Sequence, residues 1–496
     1  MNKETSSNSA RKQKMLLLII TLGGLFLRLY KLGYHDFWYD EAISLLLSQN
    51  YERIWDPPLF LIITHSWTKL FGCSEFIARL PSVIFNTLSI PLIFLFGRKL
   101  FNKKVGIFSA LLLALSPFQL WYAQEIRHYS LSLFFGLLST YFLIMVIQNK
   151  PKYWLYFTLS SAAAFYSGEF HIFLLITQIL IISLFLPPFN NKKARRNLLI
   201  FLILMAGFLP WGYIYFRKAG YIMKGFWLPR PDLSSLVITF ENFLAGYNLK
   251  QSHYFLVDIL ILLMLGSGYI KVSKDRLLKN NFYMVLFLLL FPILSIYAFS
   301  RLVVPIYLDR ALIIFSPYLY IALAAGMNKL LENKFGLLVC SLVLSIFVLS
   351  LNYYYQDLMP TEFKHHLGTY IKKPVKPLIE FVEENLSRED IIGFSNHSTL
   401  PCFELYSKQK TNEYYRFFDP KLLNTDTKRP FQESYYNIPK HKIPGLKAAR
   451  IWLIASNWWH DGNLDEQSES VKRYLDEKMN LIMQKNIEGV KVYIYK

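Results

Sequence analysis

The chain has 496 residues, 53% of them hydrophobic, 17% aromatic and only 18% charged, with a formal net charge of +20 and a mean hydropathy of +0.27. A soluble domain has about 25% charged residues and roughly 45–50% apolar ones, so this composition excludes an ordinary soluble enzyme and points to a polytopic membrane protein. The charge is not a nucleic-acid footprint. Residues 355–496 hold 21 Lys/Arg against 19 Asp/Glu, which leaves +18 in the first 354 residues, where basic collars facing anionic lipid account for it.

After a polar tail, Met1 to Ala10, apolar runs near the ~20 residues that cross a bilayer recur along the first two-thirds. Eleven spans are expected: Met15–Tyr30, Leu80–Phe96, Val105–Tyr122, Leu131–Ile147, Tyr153–Ser167, Ile172–Leu186, Leu198–Tyr215, Phe255–Ile270, Phe282–Phe299, Leu312–Met327 and Phe335–Asn352. No small-residue cleavage site follows the first, so it reads as an anchor. Every second loop is basic: Arg11 to Lys14, Arg98 to Lys104, Lys150 with Lys152, Lys192 to Arg196, Lys271 to Lys279, and Lys329 with Lys334. The positive-inside rule puts these loops in the cytoplasm and the intervening ones outside. An odd span count then puts the C-terminal segment outside as well.

Two domains are expected. Residues 1–354 form the helical membrane body, with a long first outward loop over residues 31–79. Residues 355–496 form an extracytoplasmic α+β domain, in which Pro377–Leu386 reads as an amphipathic helix. Asp390–Phe394 and Arg450–Ala455 read as buried strands, and Val490–Tyr495 as a terminal strand at a sheet edge. No internal repeat is visible. Cys73, Cys340 and Cys402 have no metal-ligand spacing, although Cys73 and Cys402 both fall on the outward side and could pair.

No phosphate-cradling glycine loop and no dinucleotide fingerprint occurs. That argues against a nucleotide-driven pump and against a soluble nucleotide-sugar enzyme. The outward side instead gathers ionisable residues, which are costly to place near a bilayer without a function. The first loop offers Asp40, Glu41, Asp56 and Glu75. The next offers Gln124 to Tyr129, with Glu125, Arg127 and His128. Later loops bring Glu169 with His171, then Arg217, Lys218, Lys224, Arg230, Asp232 and Glu241, and finally Arg301, Asp309 and Arg310. Each has a plainer reading beside it. Asp40 and Glu41 suit an interfacial helix cap. Arg127 suits a snorkelling span end, and Arg230 and Arg310 suit interfacial anchors. Glu169 and His171 suit local hydrogen bonding, and Trp38, Tyr39, Trp55 and Trp67 suit an aromatic belt.

The order of these motifs resembles a known family. Trp38-Tyr39-Asp40-Glu41-Ala42, Asp56-Pro57-Pro58-Leu59, Gly72 through Arg79-Leu80-Pro81-Ser82, Ser116-Pro117 and Gln124-Glu125-Ile126-Arg127-His128-Tyr129 look like the GT-C glycosyltransferases that use polyprenyl-phosphate sugars. That family includes the protein O-mannosyltransferases and the lipid A aminoarabinose transferases. Trp227-Leu228-Pro229 and Asp309-Arg310-Ala311-Leu312 with Pro317 are later echoes. Asp56 stands where relatives often carry a basic residue, and Ala311 where an aromatic is common.

The resemblance implies a GT-C membrane fold, an outward active site and a lipid-linked donor. Asp40 is the expected general base, supported by Glu41, and Arg127, Arg230 and Arg310 are the expected donor-phosphate contacts, with Tyr129, Glu169 and His171 beside the substrate. Polyprenyl phosphate is a good leaving group, so the reaction needs cations more than a general acid. The acceptor hydroxyl needs one positioned carboxylate, and direct displacement inverts the anomeric centre. The expected partners are the polyprenyl-phosphate sugar, the membrane, and a lipid, protein or polysaccharide acceptor, with no nucleic acid. No metal ligand set is read, and a divalent cation stays open as a cofactor. The competing reading is a transporter or lipid flippase, which tends to show repeats across two halves.

Overall fold

The computed structural model describes residues 2–49, 56–148, 152–185, 199, 201–202, 212–214, 228–359, 364–396, 398–408, 414–422, 436–458 and 460–496. The expected span Leu198–Tyr215 falls largely outside the described residues. So do the basic run Lys192–Arg196 and Trp55, Lys150, Arg217, Lys218, Lys224 and Trp227. The chain divides into two compact units. One comprises Met1–Leu32, Ile54–Ala219 and Trp227–Thr369; the other comprises Gly33–Arg53, Gly220–Phe226 and Tyr370–Lys496.

The first unit is helical. Glu75–Leu100, Tyr129–Ile147, Gln251–Val272, Arg276–Leu302, Asp309–Leu330 and Lys334–Tyr355 are long and apolar enough to cross a membrane, and the pair Lys103–Leu115 and Pro117–Ala123, bent by 57°, makes a seventh candidate. Three further expected spans correspond to Asn2–Leu29, whose N-terminal half is polar, and to the 15-residue helices Tyr153–Ser167 and His171–Phe185.

The bend has a chemical cause. Pro117 has no N–H, so the Leu113 carbonyl loses its helical donor at that point. Arg28, fully buried, replaces it: its guanidinium donates to the carbonyls of Leu113 at 3.1 Å and Ala114 at 3.0 Å. The same side chain donates to Asn86 Oδ1 at 2.8 Å. Asn86 in turn donates to Gln119 and Ser130, and Gln119 to Ser316. Polar groups in a helical membrane unit must be satisfied by protein, and this network does so across six helices. Helices Tyr254–Val272 and Ser316–Leu330 approach closely at Gly326, where a Cβ would lie 1.9 Å from the Met264 carbonyl oxygen, the small-residue packing common between membrane helices.

The second unit is built on a six-stranded sheet: β1 (Ile391–Phe394), β2 (Tyr414–Phe418), β3 (Tyr436–Pro439), β4 (Ile451–Ala455), β5 (Leu481–Ile487) and β6 (Val490–Tyr495). The order is β3-β2-β1-β4-β6-β5, with β3, β2, β1 and β4 parallel and β6 and β5 antiparallel. Both faces are covered. Ile392, Phe394, Trp452 and Ile454 pack on one side with helices Lys376–Asn385 and Leu400–Tyr406 and with Ala42 of helix Tyr39–Gln49. Ile451, Leu453 and Ala455 pack on the other with helix Glu466–Lys478. Alternate residues of a strand point to opposite faces, so β1 and β4 read as near-continuous apolar runs.

Four readings of the sequence are corrected. The domain is α/β and not α+β, because four parallel strands require crossovers. Val490–Tyr495 is interior and not at the edge. It pairs with β4 on one side and with β5 on the other, through a turn in which Glu488 (φ 49°) and Gly489 (φ 84°) both take the left-handed conformation of a two-residue hairpin. The loop expected over residues 31–79 contains helices Tyr39–Gln49 and Pro58–Phe71. All three cysteines are free thiols, so the Cys73–Cys402 pairing is not formed.

Candidate active site

In the second unit, Asp40 and Glu41 occupy the first turn of helix Tyr39–Gln49. Acids suit this position because exposed N–H groups make a helix N-terminus partly positive. The two side chains differ. Glu41 is fully buried, its Oε2 accepting from the Trp38 N–H at 3.5 Å and lying 3.4 Å from Lys372 Nζ. Asp40 is half-buried and retains solvent access. Just upstream, Asp36 accepts from the backbone N–H groups of Val375 at 2.8 Å and Lys376 at 3.0 Å, which ties the start of helix Lys376–Asn385 to the segment carrying Asp40.

In the first unit, the turn between helices Pro117–Ala123 and Tyr129–Ile147 carries the next cluster. Arg127 pairs with Asp56 at 3.2 Å and lies 5.8 Å from the centre of the Tyr129 ring. Glu125 is buried and accepts from Trp121 Nε1 at 2.9 Å. His128 sits 3.9 Å from Glu169. A small cleft enclosing about 200 Å³, its open mouth included, is lined by His128, Tyr129, Ser132, Glu169 and His171 with Ile313. The structure thus brings Tyr129, Glu169 and His171 together. His171 is held by backbone: its ring nitrogens face the carbonyls of Gly168 at 3.1 Å and Ser132 at 3.0 Å.

Arg230 and Arg310 stand elsewhere in that unit. Arg230 is exposed and donates to the Arg301 carbonyl at 3.1 Å, while Arg301 donates to the Pro231 carbonyl at 3.2 Å. Arg310 is buried and donates to the Gly368 carbonyl at 2.6 Å. Beside it lies a polar chain of which the motifs single out only Asp309. Asn242 donates to Asp309 Oδ2 at 2.5 Å and to the His365 carbonyl at 2.8 Å, and His365 Nε2 meets Glu241 Oε2 at 3.0 Å. Glu241 is visible in the sequence as an isolated acid near a span end, and Asp309 as the first residue of the Asp309-Arg310-Ala311-Leu312 motif. Asn242 and His365 carry no motif. Among the described residues, no group of three or more His, Cys, Asp or Glu is arranged to hold a metal ion.

Residues 56–213 match the family model described as dolichyl-phosphate-mannose-protein mannosyltransferase. The fold is similar to that of ArnT from Cupriavidus metallidurans in the apo state, with a TM-score of 0.64 at 12% identity, covering 98% of this chain and 98% of that one. The structure of ArnT from the same organism bound to undecaprenyl phosphate gives a TM-score of 0.61 at 12% identity, covering 96% and 97%. A looser likeness, with a TM-score of 0.48 at 11% identity over 90% of this chain and 70% of the other, is to the archaeal oligosaccharyltransferase AglB from Archaeoglobus fulgidus. No curated protein matches the sequence. The family match covers residues 56–213 and the likeness to ArnT is one of fold; among the described residues six helices are long and apolar enough to cross a membrane, or seven if the bent pair is one span.

Proposed function

We propose that this protein moves a sugar from a polyprenyl-phosphate donor to an acceptor hydroxyl on the outer face of the cell membrane, with inversion, and that Asp40 is the general base. In this reading all eleven expected spans cross the membrane, residues 1–354 form the transferase body, and residues 355–496 form an extracytoplasmic domain. The lipid donor is supported by the dolichyl-phosphate-mannose family match and by the likeness in fold to a protein that binds undecaprenyl phosphate.

The observation that carries the choice of base is the contrast at one helix start: Glu41 is fully buried and paired with Lys372, whereas Asp40 keeps solvent access. In the reaction the acceptor hydroxyl gives its proton to Asp40. Its oxygen bonds to the anomeric carbon as the bond to the phosphate oxygen breaks, and polyprenyl phosphate leaves. Arg127, Arg230 and Arg310 are assigned to the donor phosphate, because a planar guanidinium suits its oxygens. Tyr129, Glu169 and His171, which line one cleft, are assigned to substrate contact.

The test is a reconstituted assay. The protein in nanodiscs is given a labelled polyprenyl-phosphate sugar and a cell-envelope glycan fraction. Label on the acceptor with the opposite anomeric configuration is expected. Lipid movement across the bilayer without sugar transfer would contradict the reading and favour a flippase.

A further inference from the structure

The sheet of the second unit has a topological switch between β1 and β4. From β1 the chain runs to helix Leu400–Tyr406, whose Leu400 and Phe403 pack on one face; from β4 it runs to helix Glu466–Lys478, whose Val471 and Leu475 pack on the other. Neighbouring parallel strands whose connections part to opposite faces leave a crevice beyond their carboxyl ends, the usual ligand position in open α/β sheets.

The residues at this crevice have a consistent chemistry. Ser398 follows β1; Ser456, Asn457, Trp458 and His460 follow β4. Ser398 Oγ lies 3.2 Å from Ser456 Oγ and 2.9 Å from His460 Nε2. His460 takes a left-handed backbone conformation, φ 46°, which costs energy for a residue other than glycine. The surrounding chain holds it there. Gly489 lies so close that a Cβ on it would fall 1.6 Å from the His460 carbonyl oxygen, and the Gly462 N–H donates to the Gly489 carbonyl at 3.2 Å. Trp458 is half-buried and meets the ring of Tyr39 edge-on, with centroids 5.0 Å apart. Tyr39 is the neighbour of Asp40, in the same unit.

Serine, asparagine and histidine side chains each offer both a donor and an acceptor, as sugar hydroxyls do, whereas a phosphate would use only their donors, and Asn457 Nδ2 already donates to Asp461 Oδ1 at 2.6 Å. Charge at the crevice is mixed: Lys373 and Asp461 act on His460 with opposite sign. An aromatic ring with such polar neighbours suits a sugar's apolar face and hydroxyl rim.

We infer that this crevice is a carbohydrate subsite that takes a hexopyranose of a glycan acceptor, its ring against Trp458 and its hydroxyls on His460 and Asn457. The role as acceptor subsite rests on the glycosyltransferase reading above; the carbohydrate chemistry rests on the crevice. One sugar chemistry serves either a glycolipid headgroup or a free polysaccharide.

The test uses the full chain in phospholipid nanodiscs free of sugar detergents. Saturation-transfer NMR is recorded with the methyl β-glycosides of glucose, galactose and N-acetylglucosamine, and with the bound glycoside on a diacylglycerol anchor in the nanodisc. Magnetisation should reach the ring protons of at least one glycoside. The signal should fall about 5-fold in Trp458→Ala, the scale of one lost ring contact, and fall likewise in His460→Asn, which keeps a residue tolerant of the left-handed backbone. Trp458→Phe should retain most of it, and donor binding should be unchanged in all three. Stronger binding of the anchored sugar identifies a glycolipid source, and equal binding a polysaccharide. No transfer to any glycoside, or equal transfer in wild type, Trp458→Ala and His460→Asn, overturns the subsite and leaves the glycosyltransferase reading standing. Glycoside binding without sugar transfer to any acceptor overturns that reading and leaves the carbohydrate site standing.

Discussion

Arg127 and Asp56 are 71 positions apart in the chain and form an ion pair at 3.2 Å, with the guanidinium beside the Tyr129 ring. If Arg127 receives the donor phosphate, the phosphate competes with the Asp56 carboxylate for the same guanidinium. Asp56→Asn should therefore tighten donor binding by roughly five-fold, the scale of about 1 kcal/mol for a partly screened pair. Arg127→Lys keeps the charge, loses the planar fork and should weaken it. Titration of each variant with a polyprenyl phosphate checks this, and donor affinities equal to wild type in both would remove Arg127 from the donor site.

Arg28 is a stability prediction. Arg28→Met would leave the Leu113 and Ala114 carbonyls and Asn86 Oδ1 without the donor they now have. Each such loss costs about 1 kcal/mol between membrane helices, so the variant should be destabilised by about 3 kcal/mol. Reversible unfolding in mixed micelles measures it. A change below about 0.5 kcal/mol would mean that these carbonyls find another donor when Arg28 is removed.

Glu41→Gln removes one partner of a buried pair, Glu41 with Lys372 at 3.4 Å. Breaking a pair from one side is destabilising, here by about 1–3 kcal/mol as a buried polar group loses its partner. Transfer should be only mildly affected once the protein is held below its unfolding temperature. Thermal unfolding and transfer rate on the same sample separate the two effects.

Asp419 sets an acid limit for the second unit. Burial alone would push its carboxyl up. Hydrogen bonds from Lys440 Nζ at 2.7 Å, Ser470 Oγ at 2.5 Å and the Lys421 N–H at 3.0 Å outweigh that and hold it at about 2, against an ordinary 3.8. A carboxyl lowered in the folded state adds stability that is complete above its ordinary value and is lost as pH falls through the folded one. The unit should therefore lose stability between pH 3.8 and about 2. Asp419→Asn should flatten that part of the profile, as read by tryptophan fluorescence during acid titration.

Apolar length and alternation were legible in the sequence. The amphipathic run Pro377–Leu386 corresponds to helix Lys376–Asn385, and the two apolar runs at Asp390 and Arg450 to the central strands β1 and β4. Strand β5 was not legible, because Leu481–Asn486 is exposed along its length and follows no buried alternation. Missing it also put β6 at the edge. Helices Tyr39–Gln49 and Pro58–Phe71 are short and lie between turn-rich segments, so they read as loop. In the candidate site, residue types near span ends pointed to Asp40, Arg127 and Glu169. The pairings within and around it were hidden: the Arg127–Asp56 pair, the burial of Glu41 against Lys372, and the Asn242–Asp309 bond all join distant positions that no local pattern links.

The central claim is that Asp40 accepts the proton of the acceptor hydroxyl. Asp40→Asn keeps the shape of the side chain at the start of helix Tyr39–Gln49 and removes its basicity. The decisive measurement is the single-turnover rate of sugar transfer by purified Asp40→Asn at saturating donor, with donor affinity determined on the same preparation. The account predicts a rate lower by roughly 10²–10⁴-fold, the usual scale for a lost general base, with donor affinity unchanged. Transfer at the wild-type rate by a folded, donor-binding Asp40→Asn protein would contradict it.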